Sequence, residues 1–153
     1  MQNFGEAFYR LKQYYSAFKY YSKVTRLNPD FAYGYLNNGK SLLELKEYDS
    51  AEANFKKPLS LKGVDGLAYY WLCCKDIKQQ KTDSAMLYLE SCLAKLSSLT
   101  KPDDDFNLDM IATGSGIDPL RELPAFKTLF EKYFKKEELD KYPDMYKIKT
   151  GNH

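Results

Sequence analysis

The side chains that could carry out chemistry in this chain are few and poorly placed for it. Nucleophilic or acid–base catalysis needs a nucleophile, a base and a group that orients them. The only histidine is His153, the last residue. Cys73, Cys74 and Cys92 have spacings unlike any zinc or redox motif. Cys73 and Cys92 are expected as small packing residues and Cys74 as partly exposed, all three as reduced thiols in a cytoplasmic setting. Thr113-Gly114-Ser115-Gly116 has the glycines of a phosphate loop, but no Lys follows it and no strand precedes it, so it is expected as a connector. Asp103-Asp104-Asp105 with Asp109 lacks the alternating ligands, central Gly and terminal Glu of a calcium loop. An acidic helix start complementing the helix dipole is the simpler expectation. Arg121 is expected to pair with a nearby carboxylate. These residues predict no catalytic centre, no metal site and no cofactor: the chain is expected not to be an enzyme.

The composition narrows the class further. A chain of 153 residues with 44% hydrophobic and 29% charged side chains suits one soluble domain. Fourteen Tyr and nine Phe mean that much of the core must be built from rings. A net charge of +2 offers no basic stripe for phosphates, so nucleic acid is not an expected partner. No apolar run reaches the length of a membrane span, and Met1-Gln2-Asn3-Phe4 lacks the pattern of a secretory signal.

What organises the chain is a repeat. Shifting the sequence by 34 positions lays Gly5 on Gly39, Leu11 on Leu45, Lys12 on Lys46, Tyr14 on Tyr48, Ser16 on Ser50 and Ala17 on Ala51. A second shift brings Tyr69 under Tyr35 and Asp83-Ser84-Ala85 under Asp49-Ser50-Ala51. Within a unit, Phe4, Phe8 and Leu11 form one helical stripe and Ala17, Tyr21 and Val24 another, with a break near 12–15. Each unit is therefore helix, tight turn, helix, and the first is closed by Asn28-Pro29-Asp30. Pro58 interrupts the second helix of unit two while the stripe continues in phase, which predicts a kink rather than a stop.

The unit resembles the tetratricopeptide repeat. The resemblance rests on Phe4, Gly5, Phe8, Ala17, Tyr21 and Pro29 in the first unit and on Asn38, Gly39, Leu42, Ala51 and Phe55 in the second. Leu72, Cys73, Asp76, Ala85, Leu89 and Cys92 carry it, degenerately, in the third. It implies an all-α, right-handed solenoid of about three helical hairpins, at 1–30, 31–63 and 66–99. A partial fourth hairpin and a cap follow over 101–136, and a charged, fraying tail over 137–153. The string from Asp118-Pro119 to Phe126 is similar to the closing segments of bacterial tetratricopeptide arrays, which implies a bacterial source. The chain opens partway into a repeat, so it is expected to be a fragment.

By resemblance, the first helices of the units line a concave groove that holds a protein or peptide. The positions carried over are Gln2, Asn3, Glu6, Tyr9 and Arg10 from unit one, and Tyr33, Leu36, Asn37, Lys40, Leu43 and Glu44 from unit two. Unit three adds Leu67, Tyr70, Trp71, Cys74, Ile77 and Lys78. The partner-binding set expected from these is Tyr9, Tyr33, Asn37, Lys40, Tyr70, Trp71 and Cys74, with the competing expectation that the fourth hairpin or the tail folds over them. The carboxylate-gripping subclass is not expected: its positions hold Gln2, Glu6, Asn37, Leu67 and Trp71, of which only Asn37 fits. The resemblance thus points to an interaction scaffold, with a regulatory or targeting segment of a larger enzyme as the alternative. Self-association through repeat ends is a further possibility.

Overall fold

The computed structural model describes residues 2–61, 63–101 and 105–147. Its α-helices are α1 Gln2–Arg10, α2 Tyr14–Leu27, α3 Ala32–Glu44, α4 Tyr48–Lys56, α5 Asp65–Lys78, α6 Thr82–Ser97, α7 Leu108–Thr113, α8 Pro124–Tyr133 and α9 Lys136–Leu139. No strand interrupts them among the described residues, and no helix there is long and apolar enough to cross a membrane.

The repeat is visible in the backbone itself. Lys12, Lys46 and Gln80 adopt φ of 58°, 62° and 59°, the left-handed conformation that ends a helix. Their N–H groups donate to the carbonyls of Tyr9, Leu43 and Ile77 at 2.9, 3.1 and 2.9 Å. One residue later, Gln13, Glu47 and Lys81 each donate at 2.9 Å to Phe8, Leu42 and Asp76. Three successive hairpins thus turn on the same pair of bonds, 34 residues apart. The turn satisfies carbonyls that a helix end would otherwise leave open.

Packing repeats with the turns. Ala17, Ala51 and Ala85 are fully buried at the start of the second helix of each hairpin. Opposite them the chains approach closely: a Cβ on Gly39 would lie 2.5 Å from the Phe55 ring, and one on Gly5 2.5 Å from Tyr21. In the third hairpin the corresponding positions hold Cys73 and a side chain smaller than a ring, Leu89, both fully buried. Enlarging one side is matched by shrinking the other, which keeps the core close-packed. Because no space surrounds Ala51, Ala51→Leu should cost about 1–3 kcal/mol by overpacking. A thermal melt checks it, and an unchanged midpoint would mean that the crossing lies elsewhere.

α2 packs on α3 and α4 on α5, while α1 touches α3 and α3 touches α5, so the first helices form one layer. The expected kink at Pro58 takes a different form. The α-helix ends at Lys56 and tightens into a 3-10 turn over Lys57–Ser60, and Leu61 is already extended at φ −111° and ψ 142°. A 3-10 turn tolerates the lost N–H while keeping Pro58 buried beside the core.

The C-terminal part departs further from expectation. Phe106 is buried, Asn107 caps α7 by accepting from the Met110 N–H at 2.9 Å, and α8 buries Phe126 and Phe130. The tail does not simply fray: α9 and the turn after it return to the body, burying Leu139 and Met145 to 7% and 2% exposure. Arg121 is what this return docks on. Its fully buried side chain donates to Asp118 Oδ1 at 2.7 Å, to the Gly114 and Ile111 carbonyls at 2.7 and 3.4 Å, and to the Met145 carbonyl. The expected carboxylate partner is present, together with three backbone carbonyls.

Candidate functional site

The helix layer α1, α3 and α5 supplies the walls of a cavity of about 550 Å³. Tyr9 comes from α1; Tyr33, Leu36, Asn37 and Lys40 from α3; Leu67 and Trp71 from α5. On α3 these positions are three and four apart, so one helix face presents them together. Glu6, Arg10, Tyr21, Asp105 and Met110 complete the lining. Five of the seven expected partner-binding residues therefore surround one space.

The other two do not. Tyr70 and Cys74 are 6% and 5% exposed and lie beneath the connection that follows α7. A Cβ on Gly116 would stand 2.8 Å from Tyr70 Oη and 2.9 Å from Cys74 Sγ. Only a residue without a side chain lets the backbone pass there, so Thr113-Gly114-Ser115-Gly116 is a connector that roofs the third hairpin. Burial raises the pKa of both groups, and the Cys74 thiol is pushed up to about 12. It is thus a packed thiol rather than the partly exposed one expected. Leu43 is also core at 1% exposure, and the side chains of Gln2 and Asn3 lie outside the described residues. Intramolecular cover and an open cavity coexist, on neighbouring turns of α5.

The charges around the cavity are arranged unequally. Glu6 is paired with Arg10, Glu44 accepts from Tyr9 Oη at 3.4 Å with Lys78 Nζ at 4.0 Å, and Asp105 accepts from Tyr33 Oη at 3.5 Å. Lys40 has rings instead. Its Nζ lies 5.1 Å from the centroids of both Tyr9 and Trp71, within cation–π range. Burial lowers its pKa, and Glu6 restores only part of the loss. Burial and the nearby Glu44 carboxylate raise that of Tyr9. Asn37 shares a small recess with Lys40, Tyr9 and Tyr21.

Trp71 is half-buried, stacked on Phe55 at 6.2 Å and edge-on to Tyr70 at 5.5 Å, so one side of the ring is core and the other faces the cavity. Asp105 and Met110 were not among the expected groove residues. Both belong to the chain returning after α6, which no repeat position anticipates.

Residues 1–31, the first hairpin and the residues after it, match the family model described as tetratricopeptide repeat. No curated protein matches the chain.

Proposed function

We propose, for a chain that carries a tetratricopeptide repeat and hence a module of protein–protein interaction, that the cavity between α1, α3 and α5 holds a peptide segment of a protein partner. One observation carries the reading: Tyr9, Tyr33, Asn37, Lys40 and Trp71, drawn from three hairpins, converge on one space of about 550 Å³. That volume falls within the roughly 300–1,000 Å³ of ordinary ligand sites. The lining also contains residue types typical of binding hot spots, Tyr, Trp and Arg, and the rings lose little entropy on binding. The Asn37 amide extends into this space and can bond a peptide backbone.

The test is to select peptides from a displayed library and map them by NMR. Selected peptides should shift the ring signals of Tyr9, Tyr33 and Trp71 and leave Met86 and Leu129, in the groove between α6 and α8, unmoved. Peptides that perturbed only the α6–α8 groove would place the binding surface elsewhere.

Truncating the indole should affect two properties at once. Trp71→Ala removes a ring face from the cavity, so affinity for a selected peptide should fall by about 2 kcal/mol or more, roughly 30-fold. Because the other face stacks on Phe55, stability should also fall, by about 2 kcal/mol. Calorimetric titration and a urea melt of the same sample separate the two effects.

A further inference from the structure

We propose that the peptide held in this cavity docks an acidic side chain on Lys40, with an adjacent apolar side chain against Leu36, Leu67 and Met110. This rests on the reading of the cavity as a peptide groove and adds the chemistry of its occupant. The argument starts from which charges around the cavity are already matched. Glu6 is paired with Arg10 and Glu44 meets Lys78 and the Tyr9 hydroxyl, Asp105 accepts from the Tyr33 hydroxyl, and Glu6 acts on Lys40 at longer range from the same recess. Among the described residues, no carboxylate lies within 4.0 Å of Lys40 Nζ, whose neighbours are the faces of Tyr9 and Trp71, each at 5.1 Å.

A ring face attracts a cation but is a poor substitute for the oxygen acceptors that three ammonium N–H donors require. The rings therefore hold the ammonium at the cavity wall while no described carboxylate pairs with it within 4.0 Å. A carboxylate arriving from the cavity supplies those acceptors as charge-assisted bonds to a partly buried ammonium. A cationic side chain meets the opposite situation, because the place between the rings is already filled by a cation. Next to Lys40 the lining is Leu36, Leu67 and Met110, which suits an apolar residue beside the acid rather than an acidic run. Asn37, one turn before Lys40 on the same helix, is placed for the backbone between them.

Trp71 is the only tryptophan, so tryptophan emission comes from a single ring that lines this cavity. The experiment titrates the protein with hexapeptides blocked at both ends, carrying Glu, Gln or Lys at the third position and mixtures of Leu, Phe, Ala and Ser elsewhere. The Glu set should shift Trp71 emission at concentrations at least about ten-fold lower than the Gln set, with the Lys set weakest. Lys40→Met should abolish the Glu-over-Gln preference and Lys40→Arg should keep most of it. Equal binding of the Glu and Gln sets would overturn the acidic docking and leave the peptide groove standing. Tighter binding of the Lys set, or a Glu preference that survived Lys40→Met, would overturn it as well. If no set altered Trp71 emission, the groove itself would fall. The wild-type comparison of Glu with Gln decides the matter even where a Lys40 variant fails to fold.

Discussion

Arg121→Ala should destabilise the fold by about 3–5 kcal/mol, the usual cost of removing one partner from a buried charged pair. The guanidinium is fully buried and holds four acceptors on three separate segments: Asp118, the carbonyls of Ile111 and Gly114, and the carbonyl of Met145. Removing it leaves the Ile111 and Met145 carbonyls buried without this donor and detaches the returning tail from the body. Arg121→Lys should recover part of the loss, because a single ammonium keeps the charge but cannot span the fork. Urea unfolding measures the cost, and hydrogen exchange at the Met145 amide, which donates to Tyr142 at 3.0 Å, reports whether the tail is released first. A variant as stable as the wild type would mean that the tail docks through Leu139 and Met145 alone.

Lys75→Ala should cost a similar amount, about 3–5 kcal/mol at neutral pH. Lys75 comes from α5 and is 2% exposed, yet its ammonium reaches Glu52 of α4 and lies 2.7 Å from Asp76 Oδ1. Asp76 is equally buried and accepts from Ser84 of α6, so one network joins three helices. Burial alone would lower the Lys75 pKa, but the Asp76 and Glu52 carboxylates outweigh it and leave it raised. Without the ammonium, Asp76 is left as an uncompensated buried charge. Hydrogen bonds from Lys56 and then Lys75 hold the Glu52 pKa down to about 2. A depressed carboxylate contributes stability that is complete above its unfolded pKa, near 4.5, and lost as pH falls through about 2. Wild-type stability should therefore decline over that window, and Lys75→Ala should decline less steeply, since one of the two bonds is already absent. Replacing Lys75 and Asp76 together by Met and Leu should restore most of the loss. Melts from neutral pH to about pH 2 check both statements, and parallel acid profiles would contradict the network.

The repeat could be read from the sequence because its determinants are local. Lys12, Lys46 and Gln80 each stand four residues before a shared Ser-Ala pair, at Ser16, Ser50 and Ser84, and the crossings at Ala17, Ala51 and Ala85 follow from spacing alone. Even the degenerate third unit kept its register, since the exchange of Gly for Cys73 was matched by Leu89 in place of a ring. Pro58 shows where local reading stops: a helix tightened to 3-10 and a kinked helix keep the same stripe in phase over so short a span. The burial of Tyr70 and Cys74 depends on chain returning from residues 105–121, and no periodicity in α5 encodes that. Asp76 stood at a repeat position, but its pairing with Lys75 was not legible, because a buried ion pair becomes apparent only once Glu52 and Ser84 are brought beside it. In the tail, Leu139 and Met145 stand isolated among charged residues without a helical spacing, so nothing in the pattern marked them as core. Within the cavity, the α1, α3 and α5 residues were legible from repeat position, whereas Asp105 and Met110 were not.

The central claim is that the cavity of α1, α3 and α5 is a peptide groove, and Asn37→Ala tests it most directly. The Asn37 side chain faces the cavity recess and makes no hydrogen bond with a described residue, so the folded protein does not depend on it. A peptide bound along α3 does depend on it, through a bond whose loss leaves a desolvated backbone group unpaired at about 1–3 kcal/mol. With a selected peptide, calorimetric titration of Asn37→Ala should show affinity reduced about ten-fold or more, while its melting temperature stays at the wild-type value. Unchanged affinity with unchanged melting would contradict the account, because Asn37, which makes no side-chain hydrogen bond with a described residue, would then have no ligand partner either.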